Sequence, residues 1–536
     1  MTDKSTQRAE QRRLERERRK EEKKQLAALA EQRKEQKKAA LSERRRIKAE
    51  ERALKRGANG RRSLTREERA SLRVQKREQR ALEKRQKAEN KKRKAEILLG
   101  AQESSYAGLY QLAKEQKPRA DWVGLDNAAL IFPATENESV ASVFRLSAVI
   151  KEEVCPIALQ KALNAVVPRF PTVVSAMKKG FFWFYLEPST RPLVVTRYEG
   201  YPCKKIPIDS RHPAVRVLYA SHEIAVEFYH TATDGNGGIL FLNSLLAAYF
   251  EMKGTKIEDY TNCLNAKDRP RPEEMVDSFQ QIADKVTKKT TPDPAAWQIQ
   301  GTRLPDGMLV YNKGICSGSE LHAVAKSKGA TVTELLTACQ IWGLQEYRRF
   351  YGFKKDKPVV ISVPVNLRPL YGSRTVRNFV SMMLIEGKEG VPFDELLSHV
   401  KKQFAEQNTV AQFMGRINTN VYYQRHVFFR LVPLPLKYLV LRIVNIFAGD
   451  RKRTSSLSNL GVVKAPKEFE GKVLRYDFGF GPQKHDVVSL YTVTYNDVAV
   501  LTFSCTVKET YMQKKFFAKL SELGVSVAVE SNLDLP

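Results

Sequence analysis

The stretch Glu223 to Phe250 (EIAVEFYHTATDGNGGILFLNSLLAAYF) constrains this chain more than any other. Ile224, Val226 and Phe228 alternate with Ala225, Glu227 and Tyr229, which is the period of a strand with one set facing a core. His230 falls on that core-facing set, at the strand's end. Thr231 to Gly238 then packs three glycines and two threonines around Asp234 and predicts a turn, and Ile239 to Phe250 predicts an apolar helix of about three turns. Gly235, Gly237 and Gly238 suit a backbone that must press against something else. An imidazole with an unperturbed pKa near 6.5 is a natural general base at neutral pH, and a strand end is a good mount for one. The alternative reading is a satisfied core histidine beside a helix-capping aspartate.

His-x-x-x-Asp-Gly between an apolar strand and an apolar helix resembles the active-site motif of the chloramphenicol acetyltransferase-like superfamily. That group includes plant BAHD acyltransferases, peptide-synthetase condensation domains and alcohol acetyltransferases. Other pieces follow in the expected order. Trp122 to Pro133 (WVGLDNAALIFP) resembles the opening of the alcohol acetyltransferase-like branch, and Val143 to Ile150 predicts a strand. Ile157 to Val167 predicts a helix ending at Arg169. Condensation domains carry there an Arg-His motif whose arginine pairs with the motif aspartate, so the resemblance makes Arg169 the expected partner of Asp234, although Phe170 replaces the histidine. Pro358 to Leu367 predicts a buried strand running into Arg368 and resembles the Val-Asn-x-Arg strand of condensation domains. A Gly-Asn-Phe usually follows; here Arg377, Asn378 and Phe379 stand, which puts the close backbone approach of the glycine in question.

Thr454 to Gly461 (TSSLSNLG) occupies the place where the superfamily sets polar groups near the developing oxyanion, which implies Ser458 or Asn459 as donor. Asp477 to Gly481 (DFGFG) resembles the Asp-Phe-Gly-Trp-Gly of the plant enzymes, where Asp477 and Gly479 would be architectural. The resemblance covers about residues 118 to 530. It implies an α/β fold of two lobes, each a mixed sheet with helices, meeting at a tunnel with His230 at its middle. The implied reaction moves an acyl group from acetyl-CoA, another acyl-CoA or an acyl carrier protein to an alcohol or amine. His230 would be the general base, with the Asp234-Gly235 turn held by an arginine and Arg368 in support. No bound cofactor, metal or covalent enzyme intermediate is required. Tyr229, where condensation domains usually have a first histidine, leans toward the stand-alone transferases.

The 536 residues exceed what one compact core usually holds, and three segments are expected: 1–100, 101–297 and 298–536. The formal charge is +31, and it is uneven. Residues 1–100 hold 36 Lys and Arg against 17 Asp and Glu, a net +19, which leaves +12 for the rest. This arm contains no aromatic residue, proline or cysteine and cannot bury a core. Its good helix formers predict charged, solvated helix or a disordered tail, without the sustained heptads of a two-stranded coiled coil. Arg44 to Arg46 and Lys91 to Lys94 suit a polyanion, RNA or anionic membrane, without specifying which. Residues 265–297, rich in Pro, Lys, Asp and Glu, read as a linker.

Six singly spaced cysteines predict reduced, mostly buried thiols, and a charged start without an apolar core argues against a secretory signal. A cytoplasmic monomer with peripheral membrane contact is expected. Leu431 to Gly449 is interrupted by Pro433, Pro435, Lys437 and Arg442 and does not read as a spanning helix. The longer stretch His426 to Gly449 reads either as a core helix or as a surface element facing a hydrophobic substrate or anionic lipid. A rival to the enzyme is a binding protein that keeps the acyltransferase fold as a scaffold and acts through its basic arm.

Overall fold

The computed structural model describes residue 81 and residues 107–116, 122–136, 140–284, 295–354, 356–444, 450–483 and 486–533. The basic arm, residue 81 apart, lies outside them, and so do residues 445–449 of the apolar stretch. The region from Gln111 onward forms one compact unit.

Two large sheets organise that unit. The first has five strands in the order Val473–Phe480, Val143–Ile150, Glu223–Tyr229, Val215–Tyr219, Thr196–Arg197. Its first four strands are antiparallel, and the register sets Val143 opposite Tyr229 and Phe144 opposite Phe228. Helices Pro156–Val166 and Gly235–Met252 pack against each other beside it. The second sheet has seven strands, ordered Val380–Glu386, Val360–Asn366, Ser455–Val462, Val488–Tyr495, Val498–Cys505, Val310–Ser317, Ala528–Ser531. Strand Ser455–Val462 runs parallel to both neighbours, which makes this sheet mixed. Helix Val332–Phe350 packs against Tyr511–Glu522 and Phe393–Gln407 and contributes Leu335, Ile341 and Leu344 to the core. Its start is a capping box: the Thr331 hydroxyl accepts from Glu334 N, and the Glu334 carboxylate accepts from Thr331 N at 2.7 Å.

Three sequence expectations change. Strand Val473–Phe480 follows the second sheet's strand Ser455–Val462 in the chain, yet it completes the first sheet by pairing with Val143–Ile150. The two lobes therefore exchange a strand, and the boundary drawn at residue 297 does not separate their sheets. The expected linker carries short helices at Pro272–Met275 and Ser278–Ile282. Strand Glu223–Tyr229 is buried along both faces despite its alternation. Glu227 on the polar set is buried because Arg145 at 3.2 Å and Arg216 at 2.5 Å neutralise it and Cys203 N donates to it at 2.7 Å.

All six cysteines are free, and all but Cys155 are buried. Burial pushes the thiols of Cys263, Cys316 and Cys505 up to about 12. Among the described residues no helix is long and apolar enough to cross a membrane.

Candidate active site

His230 leaves the end of its strand with its backbone N donating to Ser142 O at 2.8 Å, which continues the ladder with Val143–Ile150 by one residue. The imidazole meets three aromatic rings: Phe132 stacks at 4.4 Å, Phe144 lies edge-on at 5.1 Å, and Phe480 is at 5.6 Å. Where the resemblance implies a tunnel, the described residues thus bring an aromatic wall against the ring. Phe480 belongs to the exchanged strand and occupies the tryptophan position of the plant motif.

One side-chain amide fixes how this imidazole can act. Asn378 Nδ2 donates to Asp126 Oδ2 at 3.1 Å and to His230 O at 3.0 Å, and this carbonyl can only accept. Asn378 Oδ1 must therefore face the ring, 2.9 Å from His230 Nδ1, and Nδ1 must carry the proton. The lone pair of the neutral ring then lies on Nε2. Burial holds the imidazole pKa below its ordinary value, against the opposing pull of Asp234 and Asn378. At neutral pH the ring is uncharged and basic at Nε2.

Asp234 is the N-cap of helix Gly235–Met252, which begins four residues earlier than the apolar pattern predicts. Its Oδ1 accepts from Asn236 N and Gly237 N, both at 3.1 Å. The glycines expected in a turn therefore form the first helical turn. At Gly237 a Cβ would stand 2.2 Å from Val376 O and 2.1 Å from Thr233 Oγ1, so only glycine lets the helix start touch the loop of the other lobe. A Cβ on Gly235 would instead meet the Leu460 side chain at 2.6 Å.

The arginine partner differs from the expected one. Asp234 Oδ2 accepts from Arg368 Nη1 and from Phe379 N, each at 2.9 Å. Arg169 is engaged elsewhere, bidentate to Glu274 at 2.6 and 2.8 Å. The pairing of Arg169 with Asp234 is thus corrected to Arg368, and the physical reason lies in the segment 271–276. Glu274 is planted under Arg169 by its own bond from Arg271 N, and its carbonyl receives Val376 N at 2.8 Å. Arg169 supports the loop that carries Asn378 through this segment and does not reach the aspartate.

Arg368 organises the same loop by donating to Thr375 O at 2.8 Å and Arg377 O at 2.5 Å. Arg377 replaces the glycine of the related motif without disturbing this approach, because its side chain turns away to Gly124 O at 2.6 Å and lies 3.6 Å from Asp126. The result is a closed circuit: Asp234 holds Arg368, Arg368 holds the 375–379 loop, and Asn378 on that loop holds His230 four residues before Asp234. Asn378 and Asp126 escaped the sequence reading as site residues, although Asn378 was visible within the Arg-Asn-Phe triplet.

The two oxyanion candidates separate by strand alternation. Asn459 donates to Thr333 Oγ1 on helix Val332–Phe350 at 3.0 Å, and its Oδ1 accepts from Gly461 N at 2.7 Å. It faces that helix, away from the lobe of His230, and the expectation for it is withdrawn. Ser458, one residue earlier, projects to the opposite face of the strand. Asp477 lies 2.5 Å from Lys313 and 3.1 Å from Arg475. At Gly479 a Cβ would stand 2.5 Å from the Tyr311 ring, whose hydroxyl lies 3.2 Å from Cys203 Sγ.

No family model matches the chain. An uncharacterized protein of Mycobacterium tuberculosis (strain H37Rv) is 26% identical over 175 residues, which is 30% of this chain and 39% of that protein, and its counterpart in strain CDC 1551 gives the same figures. The chain spans about two fifths of the length of these curated relatives. Among solved structures, the first condensation domain of the CDA synthetase superposes with a TM-score of 0.50 at 13% identity, covering 76% of this chain and 99% of that domain. The first condensation domain of the calcium-dependent antibiotic synthetase in complex with a substrate analogue gives 0.50 at 15% identity, over 75% and 96%. The trichothecene 15-O-acetyltransferase TRI3 of Fusarium sporotrichioides gives 0.49 at 9%, over 76% and 96%. The chain has the two-lobed chloramphenicol acetyltransferase-like fold of the condensation domains.

Proposed function

We propose that this protein is an acyltransferase that moves an acyl group from a thioester to a hydroxyl or amine, with His230 as general base. The observation that carries the reading is the Nδ1–H tautomer imposed by Asn378, which leaves a basic Nε2 on an uncharged, half-buried imidazole. In the step proposed, Nε2 takes the acceptor's proton as its oxygen or nitrogen attacks the thioester carbonyl carbon. The carbonyl π electrons move to oxygen, and Ser458 donates to that oxyanion. Collapse re-forms the carbonyl and breaks the C–S bond, and the imidazolium returns its proton to the departing thiolate. General base catalysis of this kind contributes about 10²- to 10⁴-fold, and a single oxyanion donor about 10²- to 10³-fold. Asp234, Arg368 and Asn378 are positioning residues. The donor is an acyl-CoA or an acyl group on a carrier protein; the likeness to condensation domains supports the second class, and Tyr229 in place of their usual first histidine the first.

Purified protein offered acetyl-CoA and longer acyl-CoA donors with a panel of alcohols and amines is expected to release thiol only when an acceptor is present. His230→Ala is expected to abolish that release while keeping the native circular dichroism spectrum. Full acyl transfer by a folded His230→Ala protein would refute the general-base role.

A further inference from the structure

Over its described residues, 427–444, the apolar stretch is not a core helix. Helix Leu434–Val444 buries Leu434 and Lys437, yet it exposes Leu436 by 59% and Leu439 by 58%, with Val440 beside them. Leu431, on the preceding short helix Val427–Leu431, is 64% exposed. A second element extends this surface. Leu434 N donates to Phe181 O at 2.9 Å, and the buried Lys437 ammonium donates to Phe182 O at 3.0 Å while sitting 3.3 Å above the Trp183 ring. The tip of the antiparallel hairpin Ala176–Lys179/Phe184–Glu187 is thereby pinned to the helix, and Phe181, 72% exposed, joins the exposed leucines. A helix with apolar groups on its inner and outer faces belongs in a fully apolar setting, and among the described residues nothing covers the outer face.

Charge tells what covers it. From Gln407 to Gly449 the chain has no Asp or Glu, whereas Arg430 and Arg442 are exposed beside the leucines and Lys178 and Lys179 flank the hairpin tip. Lys178 is paired with Glu187 at 2.9 Å, but Arg430, Arg442 and Lys179 leave the rim of this apolar face cationic, which complements an anionic lipid surface. The face is also joined to the candidate active site. Tyr438 donates to Pro133 O at 2.6 Å, and Pro133 follows Phe132, the ring stacked on His230.

We propose that Leu431, Leu436, Leu439, Val440 and Phe181 insert into the headgroup boundary of an anionic bilayer and that the acyl acceptor is a membrane-dissolved, hydrophobic alcohol or amine. The docking stands without any assumption about chemistry, and only the acceptor class rests on the acyltransferase reading.

The test is flotation of the full chain with phosphatidylcholine vesicles containing about one third phosphatidylserine, first at low salt and then in about 1 M salt, where the Debye length is roughly 3 Å and purely electrostatic attachment is screened. Wild-type protein is expected to keep a salt-resistant bound fraction. The variant Leu436→Ser/Leu439→Ser/Val440→Ser, changed only at exposed side chains, is expected to lose at least about tenfold of that binding with an unchanged circular dichroism spectrum. Salt-resistant binding equal in variant and wild type overturns the proposal, and so does wild-type binding that vanishes entirely in high salt. A lipid-free dimer that the same substitutions dissociate overturns it as well, since a second copy would then cover the face. The acceptor class is read separately: a long-chain alcohol presented in vesicles is expected to be turned over at a lower KM by wild type than by the variant, with short soluble alcohols unaffected. Vesicle binding without any turnover would leave the docking intact and remove the acyltransferase reading.

Discussion

Asp234 can be tested as the clamp between the lobes by a double-mutant cycle. Its carboxylate is almost fully buried and accepts four hydrogen bonds, from Asn236 N, Gly237 N, Arg368 Nη1 and Phe379 N. Asp234→Ala leaves a largely buried guanidinium without a countercharge, which costs about 3 to 5 kcal/mol, and removes a helix cap worth about 1 kcal/mol. Arg368→Ala is milder, because three backbone N–H groups still hold the carboxylate; the loss of one charged hydrogen bond is worth about 1.5 to 3 kcal/mol. If the two groups act on each other, Asp234→Ala/Arg368→Ala should be scarcely less stable than Asp234→Ala alone, giving a coupling of about 2 kcal/mol. Denaturant unfolding followed by intrinsic fluorescence measures this. Arg169→Ala serves as the contrast, since its guanidinium is bidentate to Glu274 and should combine additively with Asp234→Ala. Additivity of Asp234 and Arg368 within about 0.5 kcal/mol would sink the clamp, and strong coupling of Asp234 to Arg169 would restore the pairing that the sequence resemblance implied.

Other predictions follow from the same geometry. Asn378→Ala frees the imidazole to rotate and to change tautomer, so kcat should fall about 10²-fold with KM little changed; a fall in KM-controlled binding alone would point to a different role. The acid limb of kcat/KM should have a midpoint below pH 6.5, because burial lowers the His230 pKa and the base must be neutral to work. The same shift has a stability sign: the folded pKa lies below the unfolded one, so its contribution is full above about pH 6.5 and is lost as pH falls through the folded pKa. An acid limb above pH 7 would contradict this. Gly237→Ala forces a Cβ against Val376 O and Thr233 Oγ1 and should cost about 1 to 3 kcal/mol in denaturant unfolding. Gly415→Ala, with nothing within 4 Å of its Cβ, should be neutral or stabilising.

The strand that ends at His230 was legible because period two and period 3.6 are local signals, and strand Val143–Ile150 matches its expected bounds. Partner choice was not legible. Arg169, Arg368 and Arg377 offer the same guanidinium, and which one meets a carboxylate 134 positions away in the case of Arg368 is decided by long-range packing. Alternation does hold one clue to the site, since Ser458 and Asn459 are neighbours on one strand and cannot both face it. The exchanged strand gave no sign at all. Val473 to Phe480 has the alternation of any half-buried strand, and nothing local says which sheet it will join.

That exchange has a consequence for how the protein is made. The first sheet's core strand Val143–Ile150 gets its second neighbour only when Val473–Phe480 exists, and Tyr229 and Phe480 are 480 − 229 = 251 residues apart. At about 5 to 20 residues per second, a nascent chain carries an unpaired, apolar strand edge for roughly 12 to 50 s. Such an edge is a template for pairing with other chains. The protein's yield in the cell should therefore depend on chaperones that shield this edge during synthesis, and truncated products ending between residues 300 and 470 should accumulate as aggregates, measurable by fractionating stalled or stop-codon chains. The strand that binds the lobes together in the finished molecule is the one whose late arrival sets the hazard of its synthesis.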